Sequence, residues 1–201
     1  VSVEEAITDR VIRQARAALL ALLGAAAPLA AQPPVVPSAR FTGTLSFDAR
    51  ATLGDFTGTT TRLAGQITGG PGLETIQGWV AAPVDSIRTG NGLRDRDMRR
   101  ALESDAHPLI RFDLAEIRSS PMQGPQMVAT LVGRFTIHGT SRDVTLPATL
   151  TWGPEGIRLR ALLAMDVRDY GITRLSKMLG TLRMHPDIVV RIDLRVSQPP
   201  P

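Results

Sequence analysis

From Phe41 to Val196 the apolar and polar residues of the chain mostly alternate with period two. Phe41, Gly43, Leu45, Phe47 and Ala49 alternate with Thr42, Thr44, Ser46, Asp48 and Arg50. Successive side chains of a strand point to opposite sides of its sheet, so this pattern marks a strand with one buried face. A second, less regular strand starts near Asp55 and carries Leu63, Gly65 and Ile67. Ile76 to Val84 gives a third, and Ile110, Phe112 and Leu114 a fourth. Met127 to Ile137, Val144 to Trp152, Ile157 to Val167 and Ile188 to Val196 give the remaining ones. Gly69-Gly70-Pro71-Gly72, His138-Gly139-Thr140-Ser141 and Gly153-Pro154-Glu155-Gly156 read as hairpin-type turns between them. Two connections are longer. Arg94 to Ser104 reads as a helix, with Leu93, Met98 and Leu102 on one side, and Arg174 to Leu179 as a shorter one.

The expected fold is therefore all-β: an eight-stranded antiparallel up-and-down barrel, lipocalin-like in outline. One helix falls between strands 3 and 4, and a short helix precedes strand 8. Closure is favoured because it removes exposed sheet edges; a two-sheet sandwich fits the same alternation. A barrel of this size either fills with side chains or holds one small ligand. The buried-face positions include Gly43, Ala49, Gly65, Gly78, Ala82, Ala129, Gly133, Ala148 and Ala161. So many small residues favour a hollow lumen, although tight strand curvature or the helix would use the same room.

The inward faces carry no Asp, Glu, His, Lys or Arg in the clearest strands. Taking a charge out of water costs several kcal/mol unless it is paired, so a guest should be apolar where it is buried. General acid–base catalysis needs a titratable group at the reacting atom, and none is offered there. The expected apolar lining is Phe47, Val80, Val84, Met98, Leu102, Ile110, Phe112, Leu114, Leu131, Gly133, Phe135, Leu146, Ala148, Leu150, Leu163 and Met165. A polar headgroup would sit at the mouth, where Arg94, Arg168 or Lys177 could meet it.

Other chemistry finds little support. Cysteine is absent, which removes disulfides and thiolate catalysis. His107, His138 and His185 lie far apart along the chain, without metal-type spacing. No G-x-S-x-G elbow occurs, and Gly90-Asn91-Gly92 lacks the Gly-Lys-Ser/Thr ending of a phosphate loop. No catalytic residue, metal or cofactor is expected. Of 23 basic residues all but Lys177 are arginine, and they are interleaved with Asp and Glu rather than gathered into a stripe. The net charge of +4 therefore does not read as a nucleic-acid surface.

The N-terminal segment has its own character. Arg13 and Arg16 precede the apolar run Ala17 to Ala27, and Pro28-Leu29-Ala30-Ala31-Gln32 follows. A basic start, a short apolar core and a small-residue site describe a secretory signal peptide over residues 1–32. The run is too short for a membrane span, which needs ~20 residues. A Pro-rich lead-in (33–40), one barrel domain (41–197) and a Pro-rich tail (198–201) complete the expected layout. The mature protein should be periplasmic or secreted.

Several blocks also resemble a known family. Ser86-Ile87-Arg88-Thr89-Gly90-Asn91 is followed by Arg94-Asp95, and His107-Pro108-Leu109-Ile110-Arg111-Phe112 opens the fourth strand. Leu131-Val132-Gly133-Arg134-Phe135-Thr136-Ile137-His138-Gly139-Thr140, with Val144-Thr145-Leu146-Pro147, is the most specific block. Asp169-Tyr170-Gly171-Ile172 completes the set. In this order the blocks resemble the YceI-like family of polyisoprenoid-binding, lipocalin-like barrels. The resemblance implies an exported barrel whose lumen takes an isoprenoid chain, sometimes a quinone or another amphiphile. That family often has a His near the end of strand one, where this chain has Phe47-Asp48-Ala49-Arg50. It also commonly places an Arg two residues before the Asp-aromatic-Gly motif, whereas Arg168 stands directly before Asp169. The resemblance thus carries over no headgroup site.

The expected function is binding, carriage or sequestration of a long apolar amphiphile, a polyisoprenoid or isoprenoid quinone, without catalysis. An outer-membrane barrel with the alternation turned inside out is the competing structural reading. An envelope enzyme with a site at the barrel mouth is the competing chemical one. A homodimer remains open. N-terminal sequencing of protein recovered from the envelope should begin near Gln32; intact Val1 on a cytoplasmic pool would overturn the export reading.

Overall fold

The computed structural model describes residues 40–52, 54–69, 72–173, 176–177 and 182–197. The expected signal segment, nearly all of the Pro-rich lead-in and the Pro-rich tail lie outside these residues. The strands are β1 (Arg40–Ala51), β2 (Phe56–Thr60), β3 (Ala64–Thr68), β4 (Gln77–Pro83) and β5 (Leu109–Ser119). They continue as β6 (Gln126–Ile137), β7 (Thr140–Gly153), β8 (Gly156–Asp166), β9 (Ser176–Lys177) and β10 (Leu182–Ser197). All pair antiparallel, in the order β2-β1-β10-β8-β7-β6-β5-β4-β3, with the two-residue β9 attached to β10 alone.

Two connections curl this sheet. The first long strand pairs with the last, from Arg40↔Ser197 to Ala49↔Ile188. The two edge strands, β2 and β3, are separated in the chain only by Thr61, Arg62 and Leu63. The expected second strand is therefore one path broken in its middle. Its first half pairs with β1 and its second half with β4. The break explains why the path has nine strands where the alternation suggests eight, and the curled sheet replaces the two-sheet alternative.

A single helix, α1 (Gly92–Ala101), lies between β4 and β5, as expected. It starts earlier than Arg94 because the side chain of Asn91 accepts hydrogen bonds from the backbone N–H groups of Leu93 and Arg94. The short helix expected over Arg174–Leu179 is corrected where it can be seen. Ser176 and Lys177 pair as a strand with Arg183 and Leu182, and the rest of that segment lies outside the described residues. The turn before it is a 3₁₀ turn, Val167–Tyr170.

Gly133 and Gly65 do not line open space. A Cβ added at Gly133 would collide with the Asp113 carbonyl and the Phe112 ring, and one at Gly65 would meet the Trp79 carbonyl and the Phe41 ring. Glycine here lets a neighbouring strand and an aromatic ring close in, so the room they leave is already used. The middle and far part of the interior is packed: Leu131, Ala148, Leu150, Ala161 and Leu163 are buried, and Leu146 is 0% exposed.

The outer face carries charge pairs, including Arg111–Asp113, Arg134–Asp143, Arg158–Asp193 and Arg191–Asp48. Each contributes little to stability at a wet surface. A lipid-facing band would have to bury them, which argues against the inside-out membrane barrel. No helix among the described residues is long and apolar enough to cross a membrane.

Gly133→Ala is expected to lower stability by about 1–3 kcal/mol, the usual cost of forcing extra volume into a packed site. Gly153→Ala, where an added Cβ meets nothing closer than 3.9 Å, should be near neutral. Urea denaturation of both variants checks the pair; equal midpoints would mean that the Phe112–Gly133 contact is loose.

Candidate functional site

The strand ends of the meander fall into two sets, and α1 sits at one of them. At that end a cavity of about 420 Å³ opens inside the barrel. β1 and β2 supply Leu45, Phe47, Ala51, Phe56 and Gly58, and α1 roofs it with Leu93, Arg94, Met98 and Ala101. Leu102 follows the helix. Ile110 of β5, Phe135 and Ile137 of β6, and Met184, Ile188 and Val190 of β10 complete the wall with Val167 and Ile172. The exposed members of the lining are Thr52, Gly54, Asn91, Leu93 and Arg183, which places the mouth between the β1–β2 turn, the start of α1 and the start of β10. Leu93 is 65% exposed there.

Charged residues enter the described lining only as Arg94, Asp97 and Arg183. The Arg94 guanidinium lies 4.3 Å from the centroid of the Phe56 ring, an arrangement that attracts a cation to the ring face. The wall below is apolar. A site of this kind can desolvate a hydrocarbon chain, and it presents no acid–base pair deep in the cavity.

The roof is held by a buried carboxylate that faces away from the lumen. Asp95 is 5% exposed and accepts from the Thr89 N–H at 2.8 Å and the Thr89 hydroxyl at 2.6 Å. Thr89's hydroxyl, assisted by its N–H and the charges of Arg88 and Arg99, holds this carboxyl below its ordinary range against the effect of burial. These are Thr89 and Asp95 of the first sequence block, so that block ties α1 to the chain leaving β4.

A second polar cluster fixes the opposite wall. His138 Nδ1 lies 3.0 Å from the Tyr170 carbonyl, which only an N–H can satisfy, so that nitrogen carries the proton. Its Nε2 has no hydrogen-bond partner and faces Glu103 Oε2 at 3.6 Å. The His107 ring packs edge-on against it, with centroids 5.5 Å apart. Two of the three histidines read as separate in the sequence, His107 and His138, therefore meet. No group of three metal-binding side chains forms among the described residues. The contact docks Val167–Tyr170 onto the β6–β7 turn and so places Val167 and Ile172 on the cavity wall.

Of the expected lining residues, Phe47, Met98, Leu102, Ile110 and Phe135 line this cavity. Val80, Val84, Phe112, Leu114, Leu131, Gly133, Leu146, Ala148, Leu150 and Leu163 do not; they belong to the packed core or pack against it, Gly133 beneath the Phe112 ring. Met165 borders a separate polar depression of about 820 Å³, with Asp48, Asp55, Asp166, Asp187 and Arg191. Of the expected headgroup residues Arg94 reaches the cavity. Arg168 is exposed and bonds Asp166, and Lys177 lies in β9. Sequence reasoning missed Ile137, Val167, Ile172 and Ile188. Position was the signal for two of them: Ile137 ends β6 and Val167 directly follows β8, whereas Ile172 follows the 3₁₀ turn and Ile188 lies within β10.

The family model for the YceI-like domain matches residues 38–196. The chain belongs to the YceI-like family. Three solved structures share its fold at low identity. BcnA of Burkholderia cenocepacia is 14% identical, with TM-score 0.62, over 75% of this chain and 94% of that one. A polyisoprenoid binding domain from Saccharophagus degradans, implicated in plant cell wall breakdown, is 16% identical with TM-score 0.61, covering 82% and 99%. The YCEI protein of Campylobacter jejuni is 18% identical with TM-score 0.55, covering 71% and 85%. No curated protein sequence matches this YceI-like chain.

Asp95→Ala is expected to cost about 2 kcal/mol at pH 7, the scale for hydrogen bonds to a charged acceptor. Because folding lowers the Asp95 pKa, its contribution is complete above the ordinary carboxylate range of about pH 4 and lost as pH falls through the lowered value. The gap between parent and variant should thus narrow as pH falls from 7 to well below the ordinary carboxylate value of about 4. Urea denaturation at both pH values reads it, and a constant gap would show that Asp95 is not held in its charged form.

Proposed function

We propose that this YceI-like barrel binds one apolar amphiphile, an isoprenoid or isoprenoid quinone, tail first in the cavity beneath α1. The protein carries or sequesters that molecule and does no chemistry on it. The observation that carries this reading is the cavity itself: an apolar wall inside the barrel, with charge among its described residues confined to Arg94, Asp97 and Arg183. Pockets that bury small molecules are mostly apolar with a few placed polar groups, and this one has that balance. Family membership supports the same conclusion, as does the fold shared with a domain described as polyisoprenoid-binding. The polar head would rest at the mouth, near Asn91 and Arg94. The signal-like residues 1–32 support a periplasmic or secreted site of action.

Enlarging a wall residue should exclude the guest. Ala101→Phe and Val190→Phe both add volume to the cavity, and each is expected to weaken farnesol binding at least tenfold while keeping the parent's circular dichroism. Thr145→Phe, on the outer face of β7, should bind as the parent does. Wall variants that are folded and bind farnesol undiminished would place the ligand elsewhere.

A further inference from the structure

The cavity stops part-way along three strands. Its lining ends at Leu45 on β1, Phe135 on β6 and Val190 on β10. The next inward-facing positions along those strands are Gly43, Gly133 and Ile192. At Gly133 the Phe112 ring covers the backbone so closely that not even a Cβ fits. At Gly43, with φ 141°, an added Cβ would run into the backbone of the paired strand β10 at Asp193. Behind this layer Leu131 and Leu146 are buried. Packed interiors have the density of organic crystals and do not yield like an oil.

Volume gives the corresponding length. An engineered apolar cavity of about 150 Å³ holds one benzene. On that scale about 420 Å³ takes about 17 carbons, or about three five-carbon units. We propose, on the footing of the lipid-binding reading above, that the barrel admits about three isoprene units of a chain and leaves any remainder outside. The ligand class is then a short prenyl compound, or the head-proximal or distal end of a longer one; Leu45, Phe135 and Val190 are its deepest contacts, and the Phe112 ring, packed over Gly133 behind them, closes the path further in.

The test is a length series on the purified protein: dissociation constants for geraniol, farnesol, geranylgeraniol and solanesol. Farnesol should bind about tenfold or more tighter than geraniol, because each added carbon leaves water. Geranylgeraniol and solanesol should fall within about threefold of farnesol, since their further units find no apolar room. Affinity that keeps rising by similar steps through solanesol would overturn the depth limit and leave the lipid-binding reading intact. Binding of no prenol at all would overturn that reading, and the limit with it. Phe112→Ala, or Phe112→Leu if the first does not fold, should favour geranylgeraniol over farnesol by at least threefold more than the parent. An unchanged ratio in a folded variant would remove Phe112 as the floor.

Discussion

A β-barrel of this size encloses a nearly fixed volume, and side chains, helix and guest compete for it. In this chain the competition is settled differently at the two ends. Away from the helix, Leu131, Leu146, Leu150 and Leu163 fill the interior and leave no room. Toward the helix, the wall residues stand back and α1 lies across the opening instead of filling it. The packed end holds the barrel together, and the open end is free to be apolar without being solid. Stability and binding are thus assigned to different halves of one sheet.

The alternation of side chains made the strands legible, because one buried face is written directly into a period of two. It could not show that β2 and β3 pair with different neighbours, since a three-residue break leaves both halves alternating. The small residues misled for a related reason. Gly133 and Gly65 look like lumen space in a sequence, yet their missing side chains are replaced by Phe112 and Phe41 from adjacent strands. Composition of a face says nothing about what leans over it. The end of the barrel that holds the cavity was recoverable: the helical connection marks it, and Ile110, Ile137 and Val167 lie at or directly beyond strand ends on that side.

The arginine-rich composition acquires a local meaning in the fold. Arg158 and Asp193 make paired bonds of 2.8 and 2.6 Å across β8 and β10, and Arg111 grips Asp113 through two nitrogens. A planar guanidinium matches a carboxylate in this way, whereas an ammonium offers a single point of charge. Arg111 also lies 4.4 Å from the centroid of the Trp79 ring, covering apolar surface on the outside. Much of the arginine is therefore taken up in matched pairs on the outer face, and the net charge of +4 is the excess of basic over acidic residues. The same pairs keep the outer face wet, leaving the lumen as the protein's apolar compartment.

The wall of that compartment is positioned by polar contacts that never enter it. Glu103 and His138 are the non-glycine residues with left-handed backbone among those described, at φ 49° and 54°, and they face each other. Such conformations cost about 1–3 kcal/mol each and persist only where the surroundings impose them. Here they turn the chain sharply after α1 and after β6, which lets Leu102 and Ile137 face the cavity while Glu103 and His138 face each other outside it. The His138 ring then holds the Tyr170 carbonyl, and Tyr170 stacks edge-on against Phe135 at 5.8 Å. Asp95 does the equivalent work for the roof through Thr89. A cavity that must stay apolar is best braced from behind, because any hydrogen-bonding group placed inside it would need a partner that a hydrocarbon guest does not have.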